Sequence, residues 1–386
     1  MQTGTRHFAL VCLILVAAFL SGQTTSSSHA ITQHRAESTQ QTWHFAVAGD
    51  SRNCGDVVMP AIARSAAKEG ARFYWHLGDL RAIYDFDEDM LQSYRVKGQH
   101  LTISSYERSA WVDFTKNQVA AFSIPFFLGI GNHETVPGLK TREQFITQFA
   151  DLLDRKELRE QREKDAKLGA VEGPLRTYFH WIADGVDFIY LDNATDDQFD
   201  DDQVKWFKDR MANATQDDAI RTVVVGMHKA LPYSMSQGHS MNESARGEES
   251  GKQVYQALLR LQNDAHKKVY VLASHSHYYM EDIFNTPYWR SNGGVLPGWI
   301  DGTAGAHRYA LPGTDLGRVA KTNVYGYLLG TVNPSSEPLG AIRFEFKELR
   351  ENDIPPSVVS SYTDQFVHWC FAENTDVKST AASVEQ

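Results

Sequence analysis

Phe126-Phe127-Leu128-Gly129-Ile130-Gly131-Asn132-His133-Glu134 runs from a short apolar stretch straight into three polar side chains. An aromatic and aliphatic run that stops on glycine reads as a buried strand ending in a tight loop. The same grammar recurs on both sides. Residues 45–48 end at Gly49-Asp50, 73–77 at Gly78-Asp79, 222–225 at Gly226-Met227-His228, and 269–273 at Ser274-His275-Ser276-His277. Asp50, Asp79, Asn132, His228, His275 and His277 therefore follow five apolar strands. Loops at the carboxyl ends of strands are where α/β sheets bind ligands, so these six side chains can converge on one crevice although they span more than half the chain.

The segments between these strands are amphipathic. Val58, Ile62 and Ala66 have i, i+4 spacing, with Pro60 near a helix start and Gly70 as its stop, which predicts a helix over 60–69. Residues 85–122 and 139–167 read as helical, as do 200–212 and 251–265. Residues 178–181 and 186–191, split by Asp184-Gly185, form an antiparallel hairpin, and 324–331 pairs with 341–346. Strands alternating with helices and followed by hairpins predict an α/β (α+β) sandwich with both sheet faces covered.

Carboxylate, amide oxygen and imidazole together suit zinc, manganese or iron better than calcium or copper(I). A central carboxylate can bridge two ions ~3.5–4 Å apart, as two-metal hydrolases require. His76 and His307 read as structural or at the rim. The loop 232–250, with Tyr233, His239 and Asn242, could line the pocket, although such a loop is more often a solvated surface.

The ordered series Gly49-Asp50, Gly78-Asp79, Gly131-Asn132-His133-Glu134, His228 and His275-Ser276-His277 resembles the calcineurin-like metallophosphoesterase superfamily. Gly-Asn-His-Glu and His-x-His are its specific parts. The resemblance covers residues 43 to about 310 and implies a four-layer sandwich of two mixed β-sheets flanked by helices. It also implies two divalent or trivalent transition-metal ions (Mn, Fe or Zn). Asp79 would bridge them, with Asp50 and His277 on the first and Asn132, His228 and His275 on the second. A metal-bound hydroxide would attack a small-molecule phosphate ester, with His133 as acid or charge stabiliser and Asn132 also near substrate.

The chain departs from the family at Arg52, where a metal-binding His is common. A guanidinium cannot ligate a metal. Either Asn53 fills that place or the first ion keeps three protein ligands and water. Ala82 stands where the purple acid phosphatase branch has Tyr, Tyr84 is two residues further on, and Ser274 replaces a usual Gly. Facing inward, Arg52 would bind phosphate and favour a dianionic monoester over a diester. The alternatives are a phosphodiesterase and a degenerate member that binds phosphate or a partner without turnover.

The 386 residues carry 38 Lys and Arg against 48 Asp and Glu, a net charge of -10, which argues against sequence-reading of nucleic acid. Arg6 precedes an apolar run over 8–20 that is short for a bilayer span, and Ser28-His29-Ala30 fits peptidase cleavage. The expected organisation is a signal peptide over 1–30, a flexible lead over 31–42, one metallophosphoesterase domain over 43–350, and a C-terminal extension over 351–386 that frays from Asn374. The mature chain would have no membrane span and be exported, periplasmic or extracellular. Cys54 and Cys370, the two cysteines left after cleavage, could then form a disulfide.

Overall fold

The computed structural model describes residues 41–169, 174–194, 198–236, 238–313 and 319–377. The expected signal peptide and most of the lead lie outside the described residues. Twelve strands form among them: β1 (Trp43–Ala48), β2 (Ala71–His76), β3 (Phe126–Leu128), β4 (Phe179–Ala183), β5 (Val186–Leu191), β6 (Thr222–Met227), β7 (Lys268–Ala273), β8 (Tyr279–Glu281), β9 (Gly298–Asp301), β10 (Ala320–Lys321), β11 (Tyr325–Val332) and β12 (Ile342–Leu349). The helices are α1 (Gly55–Lys68), α2 (Glu88–Val96), α3 (Ile103–Asn117), α4 (Arg142–Gln148), α5 (Ala150–Leu153), α6 (Lys156–Lys167), α7 (Asp201–Gln216), α8 (Ala245–Asn263), α9 (Pro287–Ser291), α10 (Pro356–Tyr362) and α11 (Asp364–Ala372).

Two mixed sheets result, ordered β12-β11-β1-β2-β3 and β10-β8-β9-β7-β6-β5-β4. The strands β1, β2 and β3 run parallel, as do β5, β6, β7 and β9, so the loops after β1, β2, β3, β6 and β7 open at carboxyl ends. Alternation along β2 shows how the layers arise. Phe73 and Trp75 face the second sheet, with ring centroids 5.2 Å from Phe188 and 5.3 Å from Trp181 respectively. Tyr74 and His76 point the other way, towards Phe122 and Phe114. Each such aromatic pair adds about 0.5–1.5 kcal/mol beyond the area it buries. The outer face of the second sheet is covered by α7 and α8, whose Phe207, Met211, Val254 and Leu258 join its core. No helix among the described residues is long and apolar enough to cross a membrane.

Several local expectations change. The first helix begins at Gly55, with Pro60 inside it, because Val57, Val58 and Met59 are fully buried and their packing overrides the missing Pro N–H. The helix α8 begins at Ala245, capped by the Ser244 hydroxyl accepting from the Gly247 N–H. Two glycines in its first turns hide it from propensity, and one of them, Gly251, lies where a Cβ would come within 2.4 Å of Pro232. The fraying expected from Asn374 also does not occur there. Its side chain is buried and donates to the Tyr325 hydroxyl at 2.8 Å, while Asp376 N–H donates to Arg308 O. Residues of α10 and α11 share the core of the first sheet, and Cys370 is joined by a disulfide to Cys54, just before α1. The described residues from 41 to 377 belong to one compact unit.

Candidate metal centre

The site begins with backbone. Asp50, Asp79 and His275, each at the end of a strand, have φ of 63°, 59° and 66°. Left-handed non-glycine residues are uncommon and persist where the surroundings over-determine them, often at functional sites. Glycine lets the loops meet. Gly78 has φ +102°, and a Cβ there would lie 2.6 Å from the Gly131 nitrogen; a Cβ on Gly131 would fall 2.2 Å from Asp79 Oδ1. Glu134 locks the junction, its carboxylate accepting N–H bonds from Asp79, Leu80 and Gly131 at 2.9, 3.0 and 2.8 Å.

On one side, donor atoms crowd around His228 Nε2. Asn132 Oδ1 and His275 Nδ1 are each 3.0 Å from it, and Asp79 Oδ1 is 3.3 Å away. His228 Nδ1 faces the Leu77 carbonyl at 3.1 Å, which places a proton there and turns the Nε2 lone pair towards the cluster. One oxygen, two imidazole nitrogens and an amide oxygen are a donor set for a borderline first-row ion, so these residues fit a metal. The Asp79, His228 and His275 ligand atoms all lie within 4.8 Å of one another.

The other side differs. Arg52, 8% exposed, places Nη1 2.5 Å from His133 Nε2 and Nη2 3.0 Å from His277 Nε2, while its Nε lies 3.8 Å from Asp79 Oδ2. Asp50 Oδ1 is 3.2 Å from the same His277 nitrogen. Both Asp50 Oδ1 and Asp79 Oδ2 are buried without a hydrogen-bond donor. His277 Nδ1 donates to His307 O at 2.6 Å and His133 Nδ1 to Ala82 O at 2.6 Å, so each imidazole offers Nε2 as the acceptor for the guanidinium.

Charge in the cluster follows from these neighbours. Burial opposes ionisation of Asp79, but the positive His228 and Arg52 overcome it and hold the carboxyl well below its ordinary range. Burial also opposes a charge on His228, yet Asp79 and Asp50 raise it to about 9, so an ion at Nε2 would bind in exchange for a proton. Burial pushes His133 down to about 4, against Asp79 and with the help of Arg52, so it is a neutral imidazole.

All six predicted ligands, together with Arg52 and His133, are thus brought to one place. Asn53 is not at the centre: its Oδ1 accepts from the His307 N–H at 3.3 Å. Tyr309 is not singled out by the sequence; its ring stacks on His277 at 4.0 Å, and its hydroxyl lies near the Arg52 guanidinium. Of the two readings of the 232–250 loop, His239 follows the pocket-lining one: its ring packs 5.2 Å from His275 and 5.4 Å from Tyr309. His239, Tyr278, Tyr309, Pro312 and Asp376 line a cavity of about 350 Å³ beside the centre. Neither residue follows an apolar strand, and a Gly-Asp-like motif could not have found them. Tyr84 stacks on His133 from the exposed side, 4.8 Å between centroids. His76 is a core residue, bonded to Ser51 Oγ at 3.0 Å. Ser274 fills the space that Gly49 leaves, where a Cβ would come within 2.5 Å of its Oγ.

No protein-family model and no curated protein matches the chain. A solved purple acid phosphatase from yellow lupin (Lupinus luteus) seeds is similar over 80% of this chain, with TM-score 0.51 and 12% identity; the chain spans about half, 52%, of that protein. GAP50, the anchor in the inner membrane complex of Plasmodium, is similar with TM-score 0.42 and 12% identity, covering 88% of this chain and 98% of its own. A dimetal phosphatase from Danio rerio is similar with TM-score 0.46 and 11% identity, covering 80% and 98%. With its two facing mixed sheets, and its polar loops gathered at their carboxyl ends, the chain has the calcineurin-like metallophosphoesterase fold.

Proposed function

We propose that the chain is an exported, metal-dependent phosphoester hydrolase that favours phosphomonoesters. The observation that carries this reading is the convergence of Asp79, Asn132 and His275 on His228 Nε2 with a buried guanidinium alongside. The fold shared with a purple acid phosphatase supports it. A transition-metal ion held by those four residues would supply Lewis acidity and a water activated near neutral pH. The remaining work falls to the chain. Arg52 spends one N–H on His133 and one on His277, which leaves each terminal nitrogen with a second N–H for phosphoryl oxygens. His133, whose Nδ1 donates to Ala82 O and whose Nε2 accepts from Arg52, positions the guanidinium. The cavity under His239 and Tyr309 would receive the organic part of the ester.

Hydrolysis of an aryl phosphomonoester by the purified protein, and its loss by ~10²-fold or more in His228→Ala, tests the assignment. No turnover of mono- or diester at any metal loading would favour the reading as a phosphate binder, which the guanidinium among the ligands also suits. Export rests on the apolar segment over 8–20 and on the Cys54–Cys370 disulfide, which belongs in an oxidising compartment. Secreted protein should begin at Ile31; retention of Met1 on protein recovered from its host would argue against cleavage.

A further inference from the structure

Asp50 Oδ1, Asp79 Oδ2 and His277 Nε2 are the atoms to which the family resemblance assigns a first ion, and they face a cation already supplied by the chain. Arg52 Nη2 donates to His277 Nε2 at 3.0 Å, and its Nε–H stands 3.8 Å from Asp79 Oδ2. The His277 tautomer is fixed by its bond to His307 O, so the nitrogen that would bind a metal is the one occupied by the guanidinium. Arginine stays charged at every accessible pH and offers no lone pair. The side chain is held from two directions, by His133 and His277, and is largely buried. Its positive charge compensates the two carboxylates whose inner oxygens have no hydrogen-bond donor.

We propose that the Arg52 guanidinium stands in the place of a first metal ion, so that the centre takes a single cation, held by Asp79, Asn132, His228 and His275. The dinuclear expectation does not fit the first half of the site, because an ion there would have to displace a buried arginine and would meet its charge at close range. Asp79 then ligates through Oδ1 and leaves Oδ2 facing Arg52, His277 holds the guanidinium in place, and Asp50 adds its negative charge nearby. The inference rests on reading the cluster as a metal centre; it does not depend on turnover.

Metal content after loading with excess Mn²⁺ or Zn²⁺ and desalting, read by mass spectrometry, tests it without an assay. Wild type should retain about one ion per chain and Arg52→His, which restores an imidazole, about two. His277→Ala should still retain about one, whereas His275→Ala should lose it. Two ions on wild type, a folded Arg52→His chain with only one, or loss of the ion in His277→Ala would each overturn the proposal. If Arg52→His fails to fold, wild type and His277→Ala decide the matter. One ion on wild type with no ester hydrolysis would leave this inference standing and remove the proposed activity; no ion on wild type would remove both.

Discussion

At the scale of single residues, Arg52 is the side chain that would set what the proposed enzyme selects. A planar fork with one free N–H on each terminal nitrogen matches two oxygens of a phosphoryl group, and a fixed positive charge attracts a dianion more than a monoanion. Charge-assisted hydrogen bonds are worth about 1.5–3 kcal/mol, so Arg52→Ala should lower kcat/KM for an aryl monoester ~10–100-fold and for a diester much less. Equal losses on both substrates, or a wild type that prefers the diester, would contradict this role. The metal-side residues were legible in sequence because each one directly follows an apolar strand. What Arg52 does with the ligands was not, since only the fold shows that His133, His277 and Tyr309 surround it. Glu134 was visible within its motif, but its task of tying three backbone N–H groups together is a property of the assembled loops.

Between elements, the site depends on how closely the loops after β2 and β3 approach. Gly131→Ala would drive a methyl into the Asp79 carboxylate and backbone nitrogen. Overpacking of this kind costs about 1–3 kcal/mol, so the variant should melt several degrees lower and bind its ion more weakly than wild type. Unchanged affinity would mean that Asp79 moves freely, against the account. A second tie joins β4 and β5 to α6 and α7: His180 sits between Asp187 Oδ1 at 2.8 Å and Asp165 Oδ2 at 2.7 Å, with Arg210 3.0 Å from Asp165. Burial opposes its charge, but the two carboxylates raise it to about 9. An unfolded histidine titrates near 6.5, so this stabilisation is complete below ~6.5 and is lost as pH rises through about 9. The loss should be on the order of 2–3 kcal/mol. Denaturant midpoints across pH 6–9.5 should fall for wild type and stay flatter for His180→Phe; parallel curves would show that His180 is not the group. Long periodic helices such as α7 were readable, while β8, β9 and β10, two to four residues each, carry too few side chains to show a period.

For the whole molecule, the two-sheet arrangement follows from strand alternation, but the closing of the chain on itself does not. Residues 351–377 read as an extension because α10 and α11 are short, yet Tyr362, Phe366 and Val367 complete the core beside α1 and α2. The Cys54–Cys370 bridge fixes that closure across 316 residues, between the loop carrying Arg52 and the last helix. Native disulfides typically contribute about 2–5 kcal/mol. Reductant should therefore lower the unfolding midpoint of wild type and leave Cys370→Ser unaffected; no response in wild type would place the closure in packing alone. Fold, donor set and guanidinium together fit the proposed chemistry, hydrolysis of phosphate esters with a single bound ion. Titrating Mn²⁺ or Zn²⁺ into chelator-treated protein while following release of an aryl alcohol from its phosphomonoester tests that claim most directly. Activity should be absent without metal, rise in proportion to added ion and level off near one equivalent per chain. Hydrolysis undiminished by chelator, a plateau near two equivalents, or no hydrolysis at any loading would contradict it.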